Sequence, residues 1–244
     1  MKTTNPALSP PVTRPGSGAM FDRIAGRYDL LNRIMSFGLD AQWRRNLVRG
    51  LELRPGSRIL DLATGTADVA LEILRQEPES RVIGLDPSPN MLELGRGKIR
   101  AKDLDARIEL RGGVAEELPF DDDSFDGVTI SYGIRNVPDR PRALREMNRV
   151  VKPGGRVCVL EATEARGNPL AFGARFYVHQ VIPRIGAWLS GAKEYRYLQS
   201  SIAAFPAPKD FEGMMRDAGL EPLRRRGMTL GANTLFVAEP GGPS

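Results

Sequence analysis

The residues with the most to say about chemistry stand where apolar runs end. Asp61 lies near the end of Arg58-Ile59-Leu60-Asp61-Leu62, and Asp86 closes Arg81-Val82-Ile83-Gly84-Leu85-Asp86. A carboxylate there would sit at the carboxyl edge of a sheet, where open α/β sheets bind ligands. Asp86 could accept both hydroxyls of a ribose; it could equally cap the next helix, because Pro87-Ser88-Pro89 follows. After Asp61 the turn Leu62-Ala63-Thr64-Gly65-Thr66-Ala67-Asp68 has small residues at 63, 65 and 67, which lets backbone approach a ligand closely. Phosphate fits this turn badly. It holds no G-x-x-x-x-G-K-[ST] cradle, and a dinucleotide fingerprint would fall on Ala63, Gly65 and Asp68, setting a carboxylate against a pyrophosphate. A cationic sulfonium with an amino-acid tail suits Asp61 and Asp68 better.

Further along, Val114-Ala115 follows a third short strand, and its backbone either pairs with the edge of an adenine or forms an ordinary loop. Arg135 follows a fourth strand at the same edge. Its pKa makes it a poor base, so electrostatic stabilisation of an anion is its expected chemistry, against the alternative of a structural ion pair. His179 is the single histidine, placed as a pocket-wall residue more than as a base.

These residues need a scaffold, and the chain alternates as one should. Strands are expected at 58–62, 81–86, 107–110, 125–131 and 157–161, with helices at 69–74, 91–99 and 142–151 between them. That rhythm predicts right-handed crossovers and an α/β fold: a doubly wound, mostly parallel seven-stranded sheet of Rossmann-like type. Two final strands, 223–228 and 234–238, complete it as an edge hairpin after a helix at 208–218. Helical spacing of Phe21, Ile24, Tyr28 and Leu31 precedes a break at Ser36-Phe37-Gly38, then a helix carrying Trp43, Leu47 and Leu51. Residues 1–18, rich in proline, read as a disordered tail, and 19–244 as one domain. Residues 163–206 break the rhythm and hold Phe172, Phe176, Tyr177, Trp188, Tyr195, Tyr197 and Phe205, which suggests a helical insertion serving as lid and substrate wall.

Composition narrows the classes. One cysteine, Cys158, excludes an internal disulfide. The N-terminus lacks a secretory signal and no run of about 18 apolar residues occurs, so a cytoplasmic protein is expected. The net charge of +5 and pI near 9.6 fit either a solvated surface or attraction to an anionic membrane face. No long Lys/Arg block supports nucleic acid; the densest run is Arg224-Arg225-Arg226.

One resemblance draws these features together. Phe21-Asp22-Arg23-Ile24-Ala25-Gly26-Arg27-Tyr28-Asp29-Leu30-Leu31-Asn32, Met35-Ser36-Phe37-Gly38, Trp43-Arg44, the Leu60-to-Asp68 turn, Ala115-Glu116-Glu117-Leu118-Pro119-Phe120 and, most specifically, Thr129-Ile130-Ser131-Tyr132-Gly133-Ile134-Arg135-Asn136-Val137 resemble the ubiquinone/menaquinone biosynthesis C-methyltransferase family. The chain departs from that pattern at Thr64-Gly65, where the family usually has paired glycines. The resemblance implies S-adenosylmethionine as cofactor, no metal, and methylation of a ring carbon of a prenylated hydroquinone: demethylmenaquinol to menaquinol, or the ubiquinol-pathway equivalent. It implies cofactor contacts from Tyr28, Thr66, Asp86, Val114, Ala115 and Ser131, beside Asp61 and Gly65 read from the turn. The acceptor side is assigned to Arg135, Asn136, His179, Tyr195 and Tyr197, with Arg135 and Tyr28 at the chemistry. Expected partners are a lipophilic quinol, a peripheral membrane surface and a second copy in a homodimer. Another small aromatic or lipid-like acceptor, a non-catalytic cofactor-binding scaffold and a nucleic-acid methyltransferase are the competing readings.

Overall fold

The computed structural model describes residues 36–163 and 192–241, apart from the side chains of residues 192–196, 198 and 230, together with Asp22, Ala25, Gly26, Asp29, Leu30 and Arg33. The tail at 1–18, Tyr28, His179, the side chain of Tyr195 and most of the 163–206 stretch lie outside the described residues.

Asp22, Ala25, Gly26, Asp29, Leu30 and Arg33 are helical, and a turn at 36–39 leads on. Then follow α1 (Asp40–Gly50), β1 (Arg58–Leu62), α2 (Asp68–Gln76), β2 (Arg81–Asp86), α3 (Pro89–Arg100), β3 (Ile108–Gly112) and β4 (Phe125–Ser131). After a 3-10 turn (Ile134–Asn136) come α4 (Arg140–Val150), β5 (Val151–Ala162), α5 (Ala192–Ala203), α6 (Pro208–Asp217), β6 (Leu220–Met228) and β7 (Asn233–Pro240). The seven strands form one sheet in the order β3-β2-β1-β4-β5-β7-β6. β7 runs antiparallel to both neighbours, and every other pair is parallel. The α/β, doubly wound, mostly parallel sheet expected from the alternation is therefore present.

Strand periodicity divides the core in two. Leu60, Leu62, Val157 and Val159 pack on one face with α4 and α6; Ile59, Cys158 and Leu160 pack on the other with α1, α2 and α3. Both faces are covered, which is why the parallel strands read as continuous apolar runs. Helix starts follow local chemistry. Ser88 caps α3 by accepting from Met91 N at 3.2 Å, with Pro89 in the first turn. Capping there falls to Ser88, which leaves Asp86 for another purpose.

The start of β5 differs most from expectation, and the closing hairpin lies at the edge as expected. β5 begins at Val151, six residues early, because Val151 already pairs with Phe125 before a register shift carries the chain through Pro153-Gly154-Gly155 to Arg156 opposite Gly127. The closing hairpin has its second strand inside: β7 lies against β5, and β6, with Arg224, Arg225 and Arg226 exposed, forms the edge. Arginines on an edge strand discourage pairing with another chain.

Candidate active site at the carboxyl edge of the sheet

Parallel pairing brings the ends of β1, β2, β4 and β5 to one rim. The β1–α2 turn is strained there: Ala63, Gly65 and Ala67 all take positive φ, at 49°, 54° and 66°. An alanine in that region costs roughly 1–2 kcal/mol, and a larger residue would add crowding. At Gly65 a side chain would point into open space, with nothing within 4 Å of an added Cβ. Its N–H donates to Asp86 Oδ2 at 2.9 Å. The bare backbone thus faces open space beside the β2 carboxylate. Gly133, after β4, is small for a different reason: a Cβ there would come within 2.5 Å of Ala63 Cβ, so the β1 and β4 ends pack backbone to side chain.

Asp61 is buried. Its carboxylate accepts from Thr64 Oγ1 at 2.6 Å and from Thr129 Oγ1 at 2.7 Å. Thr64 supplies one of these donors. The other comes from the register, which sets Asp61 opposite Thr129. Burial pushes the Asp61 pKa up to about 7 against the pull of the two hydroxyls, and the charges of Asp86 and Asp68 push the same way. Asp86 is raised to about 6, again chiefly by burial, although the Ser88 and Gly65 N–H groups lower it. Among the described residues, neither acid forms an ion pair.

Gly113 N–H reaches the Asp86 carbonyl at 3.3 Å, which sets Val114 and Ala115 next to the end of β2. Ala115 is buried, and Val114 bridges to Glu117. Ser131 ends β4, half-buried, opposite Leu160. Thr66 is buried with its hydroxyl engaged twice: it donates to Asp29 Oδ1 at 2.7 Å and accepts from Lys98 Nζ at 2.8 Å.

The β4–β5 side is built otherwise. Arg135 Nη1 lies 2.5 Å from Glu161 Oε1 and 2.8 Å from the Tyr132 carbonyl; Arg135 N–H donates to Glu161 Oε2 at 3.1 Å. Glu161 is fully buried and Arg135 is 9% exposed. The arginine thus has its counter-ion in the fold. Arg140 reaches back to the Arg135 carbonyl at 2.7 Å. Asn136 accepts from the Tyr197 hydroxyl at 3.1 Å, which ties α5 to the 3-10 turn. Tyr132, at φ 54°, donates to Asn233 at 3.0 Å, and its ring lies 6.3 Å from that of Trp43. Burial, reinforced by Glu161, holds its phenol well above the usual range.

The rim therefore gathers Asp61, Gly65, Asp86, Val114 and Ala115 on one side and Arg135, Asn136 and Tyr197 on the other, with Ser131 between. Glu161, Thr129 and Lys98 were missed. Glu161 was legible by the rule that found Asp61, since it too ends an apolar strand. Thr129 needed the register, and Lys98 looks like any cation in a last helical turn. The residue set fits an adenosyl sulfonium: acids whose charge is unfavourable without a cation, and bare backbone at Gly65 facing open space beside them.

Comparison with known proteins agrees. The profile of the ubiE/COQ5 methyltransferase family matches residues 14–239. The ubiquinone/menaquinone biosynthesis C-methyltransferase UbiE of Geotalea daltonii is 45% identical over 221 residues, covering 90% of this chain and 94% of that protein. The demethylmenaquinone methyltransferase of Thermus thermophilus is 44% identical over 222 residues, covering 90% of this chain and 99% of that one. Geranyl diphosphate C-methyltransferase from Streptomyces coelicolor A3(2), solved with S-adenosyl-L-homocysteine, shares the fold with a TM-score of 0.62 at 16% identity, covering 83% of this chain and 79% of that one. With motif, rim and relatives in agreement over most of its length, this chain belongs to the ubiE/COQ5 methyltransferase family.

Proposed function

We propose that the chain transfers a methyl group from S-adenosylmethionine to a ring carbon of a prenylated hydroquinone, turning demethylmenaquinol into menaquinol or carrying out the ubiquinol-pathway equivalent. The observation that carries this reading is the pair of buried acids, Asp61 and Asp86, beside the open face of Gly65. When bound, S-adenosylmethionine supplies a methyl group already activated on a sulfonium. Asp86, with lone pairs left after its two backbone donors, accepts the ribose hydroxyls. Asp61 offers negative charge to the cationic tail. The backbone at Val114-Ala115 meets the adenine, Ser131 borders the transfer path, and Tyr28 closes over it.

On the acceptor side the ring carbon becomes nucleophilic once the neighbouring phenol gives its proton to a water held at Arg135, and the ring proton that the methyl group replaces leaves to water as the aromatic ring is restored. Arg135 stabilises the resulting phenolate through its guanidinium, and Glu161 holds that guanidinium in place. Because the pair is neutral, this help comes from aimed N–H donors more than from net charge. Asn136, Tyr197, Tyr195 and His179 frame the ring and the start of its tail. The tail's lipid character and the +5 charge favour collection of the acceptor from an anionic membrane face. Among the described residues no helix is long and apolar enough to cross a membrane.

The test is an assay with labelled S-adenosylmethionine and a panel of demethylated naphthoquinols and benzoquinols. Label should enter the ring of at least one. Label in none of them, with the cofactor bound, would reject the quinol as acceptor.

A further inference from the structure

Lys98 and Asp29, which the functional reading does not use, meet Thr66 and Asp68 of the β1–α2 turn in one cluster. The ammonium sits 2.6 Å from Asp29 Oδ2, 2.6 Å from Asp68 Oδ1 and 2.8 Å from Thr66 Oγ1. An ammonium has three N–H donors on one nitrogen, and here three acceptors from three parts of the chain surround it. Asp68 extends the cluster to Arg44 at 3.5 Å, and Arg44 pairs with Asp40 at 2.7 Å. An isolated, partly exposed ion pair contributes little; one cation with three close acceptors makes a network.

Asp29 is not alone in facing this way. Asp22, seven residues earlier and so on the same face of a helix, accepts from Ser88 Oγ and from Asn90 N at 3.3 Å. Ser88 in turn donates its N–H to Asp86 at 2.8 Å. Each acid therefore stands one residue from the candidate cofactor site: Asp22 through Ser88 to Asp86, Asp29 through Thr66 to the turn that bears Gly65.

We propose that Lys98 is a positioning residue for the cofactor site: it fastens the N-terminal helical residues, through Asp29, to the β1–α2 turn, so that docking of that segment and cofactor binding stabilise each other. The inference rests on the reading that the cofactor occupies this turn. Coupling of this kind is reciprocal. A segment held down by Lys98 steadies Thr66 and Gly65, and a ligand on the turn holds the segment down in return. The choice of lysine follows, because a guanidinium spreads its donors over a planar fork and cannot aim three of them from one nitrogen.

The test compares wild type with Lys98→Met, Asp29→Asn, the double variant and Lys98→Arg. Two quantities are read: S-adenosylmethionine affinity by calorimetry, and the rate of tryptic cleavage between residues 22 and 33 in the ligand-free chain. Both single variants should lose about tenfold in affinity, a usual size for coupling between sites, and should be cleaved faster. The double variant should lose no more than either single one, and Lys98→Arg should not restore affinity. Unchanged cleavage in Lys98→Met, additive losses in the double variant, or losses that merely track a falling melting temperature would overturn the proposal. Failure of wild type to bind S-adenosylmethionine would instead defeat the functional reading, and the cleavage rates would still decide what Lys98 fastens.

Discussion

The two halves of the rim handle buried charge in opposite ways. At the ends of β1 and β2, Asp61 and Asp86 are buried without a cation among the described residues, and burial drives both pKa values up. At the ends of β4 and β5, Arg135 and Glu161 are buried as a pair 2.5 Å apart. The first half holds an electrostatic deficit that a cationic ligand relieves. The second is already balanced and keeps its shape whether or not anything is bound. A site that must take up a charged cofactor and release a less charged product benefits from the first arrangement. A site that must aim a donor at a transient anion benefits from the second.

Breaking the balanced half should have the largest effect. Arg135→Ala leaves the Glu161 carboxylate buried without its counter-ion, and should cost about 3–5 kcal/mol of stability as well as most of the turnover. Arg135→Met combined with Glu161→Leu should recover much of that stability and none of the turnover. Thermal unfolding and single-turnover rates read the two effects separately. A double variant as unstable as Arg135→Ala would contradict the pairing argument.

The deficient half should respond in the other direction. The folded pKa of Asp61, about 7, lies above its unfolded value of about 3.9. Between those values the folded chain keeps a proton that the unfolded chain has released, so stability without ligand falls as pH rises through that window. Asp61→Asn removes that contribution. The variant should therefore melt higher than wild type at pH values above about 7 and lose this advantage towards about pH 4, while binding S-adenosylmethionine more weakly. Equal melting temperatures across the range would show that Asp61 carries no such strain.

A smaller change sharpens the same contrast. Thr129→Val removes one of the two hydroxyls that favour the charged form of Asp61. Its pKa should rise further, and cofactor affinity near neutral pH should fall several-fold, by about 1 kcal/mol. Calorimetry across pH would detect it as an upward shift in the midpoint of binding.

The contrast also explains what could be read without coordinates. Asp61 and Asp86 were legible because an acid at the end of an apolar strand stands out, and the small residues at 63, 65 and 67 proved to mark left-handed backbone. Arg135 was legible as a charge at the rim and Glu161 as an acid ending an apolar strand, but their pairing was not: they lie 26 residues apart, and only the pairing of β4 with β5 brings the two together. Thr129 was hidden for the same reason, since register between parallel strands is set by packing and leaves no local signal. The early start of β5 was masked by Pro153-Gly154-Gly155, which reads as a turn and here forms an irregularity within a strand. Lys98 was invisible because its three acceptors come from distant parts of the chain.

The claim that matters most is that the nucleotide half stays partly protonated until a cation arrives. Calorimetric titration at about pH 6.5, between the two raised carboxylate values, repeated in buffers of different ionisation heat, counts the protons exchanged on binding. S-adenosylmethionine should expel protons from Asp61 and Asp86, and S-adenosylhomocysteine, without the sulfonium charge, should expel distinctly fewer. Equal proton exchange for the two ligands would contradict the account.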